Sequence, residues 1–305
     1  MHHLERLNRQ RATVPPAYVG RSRGFSRQVL VGRSHGSPHL TLSANYLEPG
    51  GSINPVLHSF EASLFVLEGG IDVVSGGVRY RLPSRHAMVL PLGVPYQILS
   101  ESVASAWLQM EAPAELEDER RTDTFFAGEF SPAGEPVTPD MRDPRYRSVA
   151  RFDPEAMDLG RLAGGSDVNA PTVSASMATA LLAYSGIGVK MLIDQNQGAQ
   201  LHTMFVVDYQ PTAIAHPHDH PFEEAYVFLE GVVHGLIEGE EMELHPGDVL
   251  WCSVGADHGF ENRGSSLVRW IEVQSPQPPA RHSYRFNREW EYLELQLANH
   301  DEGGS

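Results

Sequence analysis

The stretch His216-Pro-His-Asp-His-Pro-Phe-Glu-Glu224 places three imidazoles within five residues and then two adjacent glutamates. In an extended strand, side chains two residues apart leave the same face, so His218, His220 and Glu224 can converge on one point. His258 can join them from a second strand. These four side chains predict a binding site for one divalent metal.

The predicted ligands are nitrogen and oxygen donors, with no thiolate among them. Such a set suits Mn(II), Fe(II), Ni(II), Co(II) or Zn(II) and disfavours a structural zinc knot. A metal that prefers six ligands would keep two positions open when the protein supplies four. Open positions are where metal-assisted chemistry takes place.

Two motifs extend the pattern along the chain. H-x-H-x3-E-x6-G covers residues 218 to 231, and G-D-x9-H-x3-N covers residues 247 to 262. Together they resemble the paired signature motifs of the cupin superfamily. The resemblance implies a small β-barrel with His218, His220, Glu224 and His258 as metal ligands inside its cavity.

The chain also contains an internal repeat. A shift of 162 residues aligns residues 36–96 with residues 198–258 without a gap, and thirteen of the 61 pairs are identical. One further residue of insertion aligns Trp107 with Trp270. The sequence therefore predicts an all-β chain of two tandem cupin barrels (double-stranded β-helix, or jelly-roll) with a few short helices.

The first copy lacks most of the predicted ligands. The residues that align with the four ligands are Val56, His58, Ala62 and Tyr96. A single histidine cannot hold a metal with useful affinity, so His58 is interpreted as a hydrogen-bonded histidine of the core or cavity. The first barrel is then a structural or dimer-forming partner, and the one metal belongs to the C-terminal barrel.

The repeat and the composition between its copies predict the domain boundaries. Residues 1–25 are basic and are expected to form an arm that packs on the first barrel or leaves it. The region after the first barrel is rich in acidic residues and proline, and is read as a linker. The remaining expected segments are the first barrel at 26–113, the linker at 114–170, the second barrel at 171–276 and a tail at 277–305.

Two short helices are expected outside the barrels. Residues 172–182 could form one of them before the second barrel opens at Val189. In the tail, apolar residues recur at i, i+4, i+7 and i+11, which is typical of a helix with one apolar stripe. This stripe is expected to pack on its own barrel, or alternatively across a dimer, and consists of Phe286, Trp290, Leu293 and Leu297.

Charge and composition exclude several classes of partner. With 23 basic and 39 acidic residues the formal charge is −16, which disfavours nucleic acid and anionic membranes. No apolar stretch is long enough to span a bilayer. The amino terminus does not read as a signal peptide, and Cys252 is the single cysteine, so a cytoplasmic homo-oligomer that binds a small molecule is expected.

Strand parity also suggests which residues surround the metal. Tyr226 and Phe228 share the parity of Glu224 and should line the cavity. His216 shares it too, and could touch substrate or supply a proton, or could stand at the rim of the barrel.

The closing strand, residues 269–274, leaves two alternatives open. Either Trp270, Glu272 and Gln274 face the cavity, or the other three residues do. In the first case Glu272 is the candidate general base, with Trp270 in the substrate pocket and Gln274 orienting the substrate.

Two chemistries compete for this layout. A first barrel without metal ligands, followed by a second barrel that has them, resembles the ureidoglycine aminohydrolase group of bicupins. In that group manganese assists loss of an amine from a small ureido acid. That group, however, uses Glu-x-His-x3-His and a later glutamine. The three-histidine, one-glutamate set is instead found in cupin dioxygenases, oxalate-processing enzymes and isomerases.

We therefore expect, first, a hydrolase similar to ureidoglycine aminohydrolase that acts on a small carboxylate or amide. An Fe(II)-dependent dioxygenase is the alternative, so Mn or Fe is the favoured metal. A non-catalytic binder that holds a small molecule through its metal is the third possibility.

Overall fold

The computed structural model describes residues 1–100, 102–117, 121–130, 134–141, 143–157, 185–277 and 285–286. Within these ranges the regular secondary structure is almost entirely β-strand, which confirms the predicted fold class. The helical residues there form short 3-10 turns at Arg9–Arg11, Pro16–Tyr18, Arg33–His35, Pro144–Tyr146 and Pro154–Met157.

The strands of the first half run from the amino terminus into the predicted linker. They are β1 (His2–Arg6), β2 (Ser22–Val31), β3 (Thr41–His58), β4 (Glu61–Glu68), β5 (Gly70–Ser75), β6 (Val78–Pro83), β7 (His86–Leu90), β8 (Tyr96–Leu99), β9 (Ser105–Ala112), β10 (Thr124–Phe126) and β11 (Val149–Arg151).

The strands of the second half follow the same order. They are β12 (Ile187–Ile193), β13 (Thr203–Tyr209), β14 (Ile214–Asp219), β15 (Glu223–Glu230), β16 (Val233–Ile237), β17 (Glu240–Leu244), β18 (Asp248–Cys252), β19 (His258–Glu261), β20 (Val268–Ser275) and β21 (Arg285–Phe286).

Each half forms a barrel from two antiparallel sheets. In the second half, one sheet has the order β1-β18-β15-β20-β13-β12, and the other has the order β17-β16-β19-β14-β21. In the first half the same two sheets are joined, because the long strand β3 pairs with β9 through Thr41–Leu47 and with β8 through Ser52–Val56. The two barrels therefore share one topology.

Strand register preserves the sequence repeat. Ala62 of β4 stands opposite Glu111 of β9, and the aligned Glu224 of β15 stands opposite Gln274 of β20. Equivalent positions in the sequence are therefore equivalent positions in space, and one barrel can be used to interpret the other.

The amino-terminal arm was expected to pack on the first barrel or to leave it, and β1 leaves it. That strand pairs with β18 of the second barrel, with His2 opposite Cys252. Two strands of the predicted linker add to the first barrel. β11 pairs with β7, and β10 pairs with β3. Each added strand satisfies backbone groups that a bare sheet edge would leave unpaired.

Apolar residues form three buried clusters. One fills the first barrel around Trp107, and one fills the second barrel around Trp270. The third lies between the barrels, where outward-facing residues such as Leu42 and Leu108 meet Trp251 and Ile271. The large sheets of the two barrels thus pack against each other through their outer faces.

Two equivalent glutamates connect the barrels at this interface. Glu61 accepts hydrogen bonds from the backbone nitrogens of Gln200 and Leu201 at 2.9 to 3.0 Å. Its repeat partner Glu223 accepts from the Ser37 hydroxyl at 2.5 Å. Buried carboxylates with such partners stabilise one relative orientation of the barrels.

Several expectations concern residues outside the described ranges. The short helix expected at 172–182 and the apolar stripe of the tail beyond Phe286 belong to this group. Among the described residues, no helix has the length and apolar character required to cross a membrane. The homo-oligomer and the cytoplasmic location stay predictions.

Candidate metal centre

The four predicted ligands come from three strands and a turn. β14 ends at Asp219 and β15 begins at Glu223, so His218 and Glu224 lie on different strands, in different sheets, and His220 lies in the turn between them. One extended strand therefore does not run from His218 to Glu224, because the chain turns at Pro221, as a proline inside a strand predicts. His258 begins β19, directly opposite His218.

The three histidines nevertheless meet inside the barrel. One nitrogen from each of His218, His220 and His258 lies within 4.8 Å of those of the other two, and all three side chains are buried. Convergence comes from strand pairing and the turn together.

Backbone carbonyls orient two of these imidazoles. His218 Nδ1 lies 2.7 Å from the carbonyl oxygen of His216, and His258 Nδ1 lies 2.9 Å from that of Ala256. Because a carbonyl oxygen only accepts, each Nδ1 carries the proton and donates it. Nε2 is then the nitrogen that could bind a metal, as is usual for histidine ligands.

Glu224 lies beside this cluster and is held on both oxygens. Its Oε2 is 2.9 Å from His258 Nε2 and accepts a hydrogen bond of 2.6 Å from the Tyr226 hydroxyl. Its Oε1 is 3.4 Å from His220 Nε2 and accepts from Gln274 Nε2 at 2.7 Å. The carboxylate is thereby aimed at the histidines.

The cluster has the electrostatics of a metal site. Burial, with smaller contributions from His258 and His220, lowers the pKa of His218 to about 3. Burial alone would raise the pKa of Glu224, but His220 and His258, together with hydrogen bonds from His258 and Tyr226, lower it. A neutral imidazole and an ionised carboxylate are the forms that bind metal.

These residues fit a single divalent ion. Nitrogen and oxygen donors bind such ions at about 2.0–2.2 Å, so ligand atoms of one site lie a few ångström apart. The three imidazole nitrogens have that spacing, and Glu224 adds a negative charge next to two of them. His218, His220, His258 and Glu224 would hold the ion.

A cavity of about 60 Å³ opens onto the cluster. Tyr226, Trp270 and Glu272, which were expected near the substrate, line it. Phe228 does not appear in the wall, because it packs deeper in the barrel against Trp270. Gln274 also stands outside the wall, where it supports Glu224 from behind.

His216, expected either to touch substrate or to stand at the rim of the barrel, is not among the described residues that line this cavity. The register of β14 against β19 shifts between Ala215 and His218, which marks a bulge. The extra residue reverses the alternation, so Ala215 lines the metal cavity while His216 lines a separate cleft of about 380 Å³. His216 is therefore not positioned to touch a metal-bound substrate.

The closing strand presents Trp270, Glu272 and Gln274 to the barrel interior, which resolves the alternative left open above. Trp270 Nε1 donates to Glu272 Oε2 at 3.1 Å, and Gln274 Nε2 donates to Oε1 at 3.2 Å. Ile271 and Val273 instead belong to the cluster between the barrels.

Glu272, the expected general base, has a raised pKa. Burial, and then the negative charge of Glu224, raise its pKa well above the ordinary value. A raised pKa favours the protonated carboxyl group, which can donate a hydrogen bond or a proton. The general-base role of Glu272 stays a prediction.

A further part of the cavity wall comes from β12 and β13, and the sequence analysis did not identify it. Its apolar residues are Ile187, Val189, Phe205, Val207 and Tyr209. Parity along β13, in which every second residue is large and apolar, was a usable signal. Without the barrel topology, however, it did not show which face was the interior.

The first barrel contains no such metal cluster among its described residues. His58 Nε2 lies 2.9 Å from the Tyr96 hydroxyl, and Nδ1 lies 3.1 Å from Thr124 Oγ1. Burial, with a smaller effect of Arg27, lowers the pKa of His58 to about 3. His58 is thus a neutral, hydrogen-bonded core histidine, as the sequence indicated.

Replacing Tyr226 with phenylalanine should weaken metal binding by about 10- to 100-fold, because it removes the hydrogen bond that orients Glu224. Isothermal titration with Mn(II) or Co(II) measures the change. Tyr209→Phe removes a hydroxyl from the β13 part of the wall and should alter affinity less than about threefold. Equal affinities for Tyr226→Phe and the native chain would show that the orientation of Glu224 does not depend on this contact.

Known proteins share this fold and part of the sequence. A family profile described as a cupin domain matches residues 205–274. The tetracenomycin polyketide synthase protein TcmJ of Streptomyces glaucescens is 30% identical over 90 residues, which are 29% of this chain and 60% of that protein. The matched part thus spans less than two thirds of this curated relative.

Among solved structures, salicylate 1,2-dioxygenase of Pseudaminobacter salicylatoxidans superposes with a TM-score of 0.63 at 14% identity, covering 82% of this chain and 76% of that one. A mutant of the same enzyme in complex with gentisate gives 0.65 and covers 90% and 82% at 14% identity. Oxalate decarboxylase OxdC of Bacillus subtilis, also a mutant, gives 0.61 at 12% identity over 97% of this chain and 83% of that one.

Proposed function

Because this chain belongs to the cupin superfamily and folds as two cupin barrels, we propose that it is a metal-dependent enzyme whose second barrel oxidises a small ring compound with dioxygen. Its substrate would carry two adjacent oxygen substituents, such as a hydroxyl beside a carboxylate or a second hydroxyl. The proposed metal is Fe(II), held by His218, His220, His258 and Glu224.

One observation carries this proposal, namely a cavity lining that joins a polar part to a large apolar part. The imidazoles, Glu224 and Glu272 form the polar part. The apolar part includes Val189, Phe205 and Val207, and none of the described lining residues is a lysine or an arginine. A planar ring with oxygens on one edge matches such a mixed lining.

The ureidoglycine-like hydrolase, which the domain layout suggested first, is less well matched by this lining. A ureido acid is polar along its whole length, so it needs hydrogen-bond partners on every side. Burying such groups against Val189, Phe205 and Val207 would leave them unpaired, at a cost of about 1–3 kcal/mol each. An aromatic or otherwise apolar ring has no such cost.

The names of similar proteins agree with this chemistry. The structural neighbours include a salicylate 1,2-dioxygenase that has been determined with gentisate, and the sequence relative is a polyketide synthase protein. Salicylate and gentisate are rings with a hydroxyl next to a carboxylate. The likeness in sequence is low, so substrate identity remains part of the proposal.

The chain's own residues would divide the work. His218, His220 and His258 hold the ion, and Glu224 balances its charge. Fe(II) supplies open coordination positions and one-electron redox chemistry when it is bound.

The apolar wall excludes water and orients the ring. Phe205 and Trp270, both of which line the cavity, offer flat faces for stacking. Glu272, whose raised pKa favours its protonated form, stands within the same cavity and can donate a hydrogen bond or a proton to a substrate oxygen.

A second function is favoured by Glu272 itself. A buried carboxyl group that carries its proton beside a metal centre is suited to general-acid catalysis without oxygen. Loss of carbon dioxide, ring closure or hydrolysis would use it in this way. The oxalate decarboxylase among the structural neighbours is one example of a non-oxidative name on this fold.

Oxygen consumption separates the candidates. The protein is loaded anaerobically with Fe(II) or Mn(II) and mixed with salicylate, gentisate or catechol in an oxygen electrode. We expect uptake that requires Fe(II) and a ring with adjacent oxygens, and that disappears in Glu224→Ala. Product formation by the Mn(II) form without oxygen uptake would favour the acid-catalysed function, and ammonia release from ureido acids would favour the hydrolase.

A further inference from the structure

Arg27 and Val189 occupy the same position in the two barrels. They are 162 residues apart, which is the repeat distance. Strand register agrees, because Arg27 of β2 stands opposite Asn45 of β3, and Val189 of β12 stands opposite Val207 of β13. A cationic residue in the first barrel is thus replaced by an apolar residue in the second.

In the first barrel this position closes the interior. The side chain of Arg27 is only 5% exposed, and its guanidinium reaches Glu111 at 2.9 Å and Glu115 at 2.7 Å. Glu111 is the repeat partner of Gln274, the residue behind Glu224 in the second barrel. β2 and β9 both pair with β3, so Arg27 extends over β3 within one sheet to reach Glu111 on β9.

In the second barrel the same position is open. Val189 is 45% exposed to solvent, yet it also lines the cavity at the metal cluster. A residue that is both in the cavity wall and at the surface marks a place where the cavity meets solvent. It lies on β12, the edge strand of its sheet, so no further described strand covers it there.

We propose that Val189 forms the entrance of the metal cavity and selects substrates that enter with an uncharged, apolar edge. This inference rests on the proposed function, because it assumes that the cavity holds a metal and a substrate. Charged residues are absent from the described entrance wall, where Ile187 and Val207 are the neighbours of Val189 in the lining. The substrate would slide its ring past these side chains, with its oxygens pointing to the histidines.

Val189→Arg reproduces the closed arrangement of the first barrel. The introduced guanidinium can reach over β13 toward Glu272 and Gln274, just as Arg27 reaches over β3 to Glu111. We expect it to leave metal affinity within about threefold and to slow access to the metal at least about tenfold. Met191→Arg is the matched control, since Met191 is 39% exposed on the same strand and is not among the described lining residues.

Access is measured with dipicolinate, a flat aromatic chelator, on the Co(II)-loaded full-length protein. The visible absorption of Co(II) follows its removal. Dipicolinate is an anion, so an added positive charge alone would speed its approach, and slower removal from Val189→Arg requires a blocked entrance. Val189→Ala should accelerate removal about threefold, and it tests the proposal even if the arginine variant does not fold.

The outcomes separate two failures. If the native chain binds no Co(II), the proposed metal-dependent function is wrong, and this inference is wrong with it. If Co(II) binds and dipicolinate removes it at one rate from the native chain, Val189→Ala and Val189→Arg, the entrance lies elsewhere and only this inference is overturned. Equal slowing by Met191→Arg would likewise contradict it.

Discussion

His220→Ala should leave the second barrel with less than about a tenth of an equivalent of metal after dialysis. Removing a group that merely supports a ligand costs about 10- to 100-fold in affinity, and removal of a ligand costs more. His220 contributes one of the three imidazoles of the cluster and faces Glu224 at 3.4 Å. Metal content by plasma mass spectrometry, with oxygen uptake as a second readout, measures the loss.

His58→Ala is a closely matched control for this experiment. The two histidines are repeat partners, both are buried, and both stack on a phenylalanine two residues later. The ring centroids are 4.3 Å apart for His58 and Phe60, and 4.7 Å apart for His220 and Phe222. Both alanine variants should therefore lose comparable stability, on the order of 1–3 kcal/mol.

Only the second-barrel variant should lose metal. If His58→Ala depletes metal as strongly as His220→Ala, then either the first barrel also binds an ion or metal binding merely follows stability. Thermal unfolding with and without Mn(II) separates these explanations. A bound ion raises the unfolding free energy by about 2.7 kcal/mol at one hundred times its dissociation constant, and His220→Ala should abolish that increment.

The metal cluster was predictable because its signal is chemical and local. Three imidazoles and a carboxylate in a fixed spacing have few uses other than binding a metal, so the ligands could be proposed before the strands were known. The prediction used one extended strand to bring His218, His220 and Glu224 together. The turn at Pro221 replaces that strand, yet the side chains still meet, because the turn folds back toward the same cavity.

The same parity argument failed for His216. A β-bulge adds one residue to one strand, and a single added residue moves every later side chain to the opposite face. Pro217, inside β14, is the sequence signal for this bulge, but it does not show which side chains change face. The change of face shows in the register of β14 against β19 and requires knowledge of the partner strand.

The position of β1 could not be predicted because it depends on how the two barrels face each other. β1 pairs with β18 at the sheet edge of the second barrel, and the sequence of β1 does not indicate that partner. Long-range edge pairing of this kind follows from the packing of Trp251 and its neighbours between the barrels. Neither periodicity nor composition of residues 2–6 contains that information.

The proposed entrance at Val189 was only partly predictable from the sequence. Repeat alignment pairs it with Arg27 from the sequence alone, but the meaning of that pair depends on the burial of each side chain. One is hidden within a network of carboxylates and the other is exposed at a cavity. The duplicated fold thus acts as an internal comparison, in which the barrel that lost its ligands shows how a closed interior is built.

At pH 9, above the pKa of Glu111, Arg27→Met should destabilise the protein by about 3–5 kcal/mol, the usual result of removing one partner from a buried ion pair. Glu111 is 1% exposed and would lose the guanidinium that now lies 2.9 Å from it. Urea unfolding of the full-length chain measures the change. Arg145→Met removes an exposed partner of Asp143 and should cost less than about 0.5 kcal/mol.

The loss should depend on pH and on the charge of Glu111. Burial raises the pKa of Glu111 to about 8 even though Arg27 pulls it down, so removing Arg27 should raise it further. A carboxyl group whose pKa is higher in the folded state stabilises the fold below its unfolded pKa and loses that contribution as pH rises through the folded value. Arg27→Met should therefore be more destabilised at pH 9 than at pH 6.

Arg27→Met combined with Glu111→Gln removes the buried charge together with its partner. The double variant should recover most of the lost stability at pH 9 and should show little of the pH dependence, because an amide does not titrate. If it stays as unstable as the single variant at both pH values, the deficit comes from a packing defect rather than from an uncompensated carboxylate. The first barrel would then owe its closed interior to the volume of Arg27 and not to its charge.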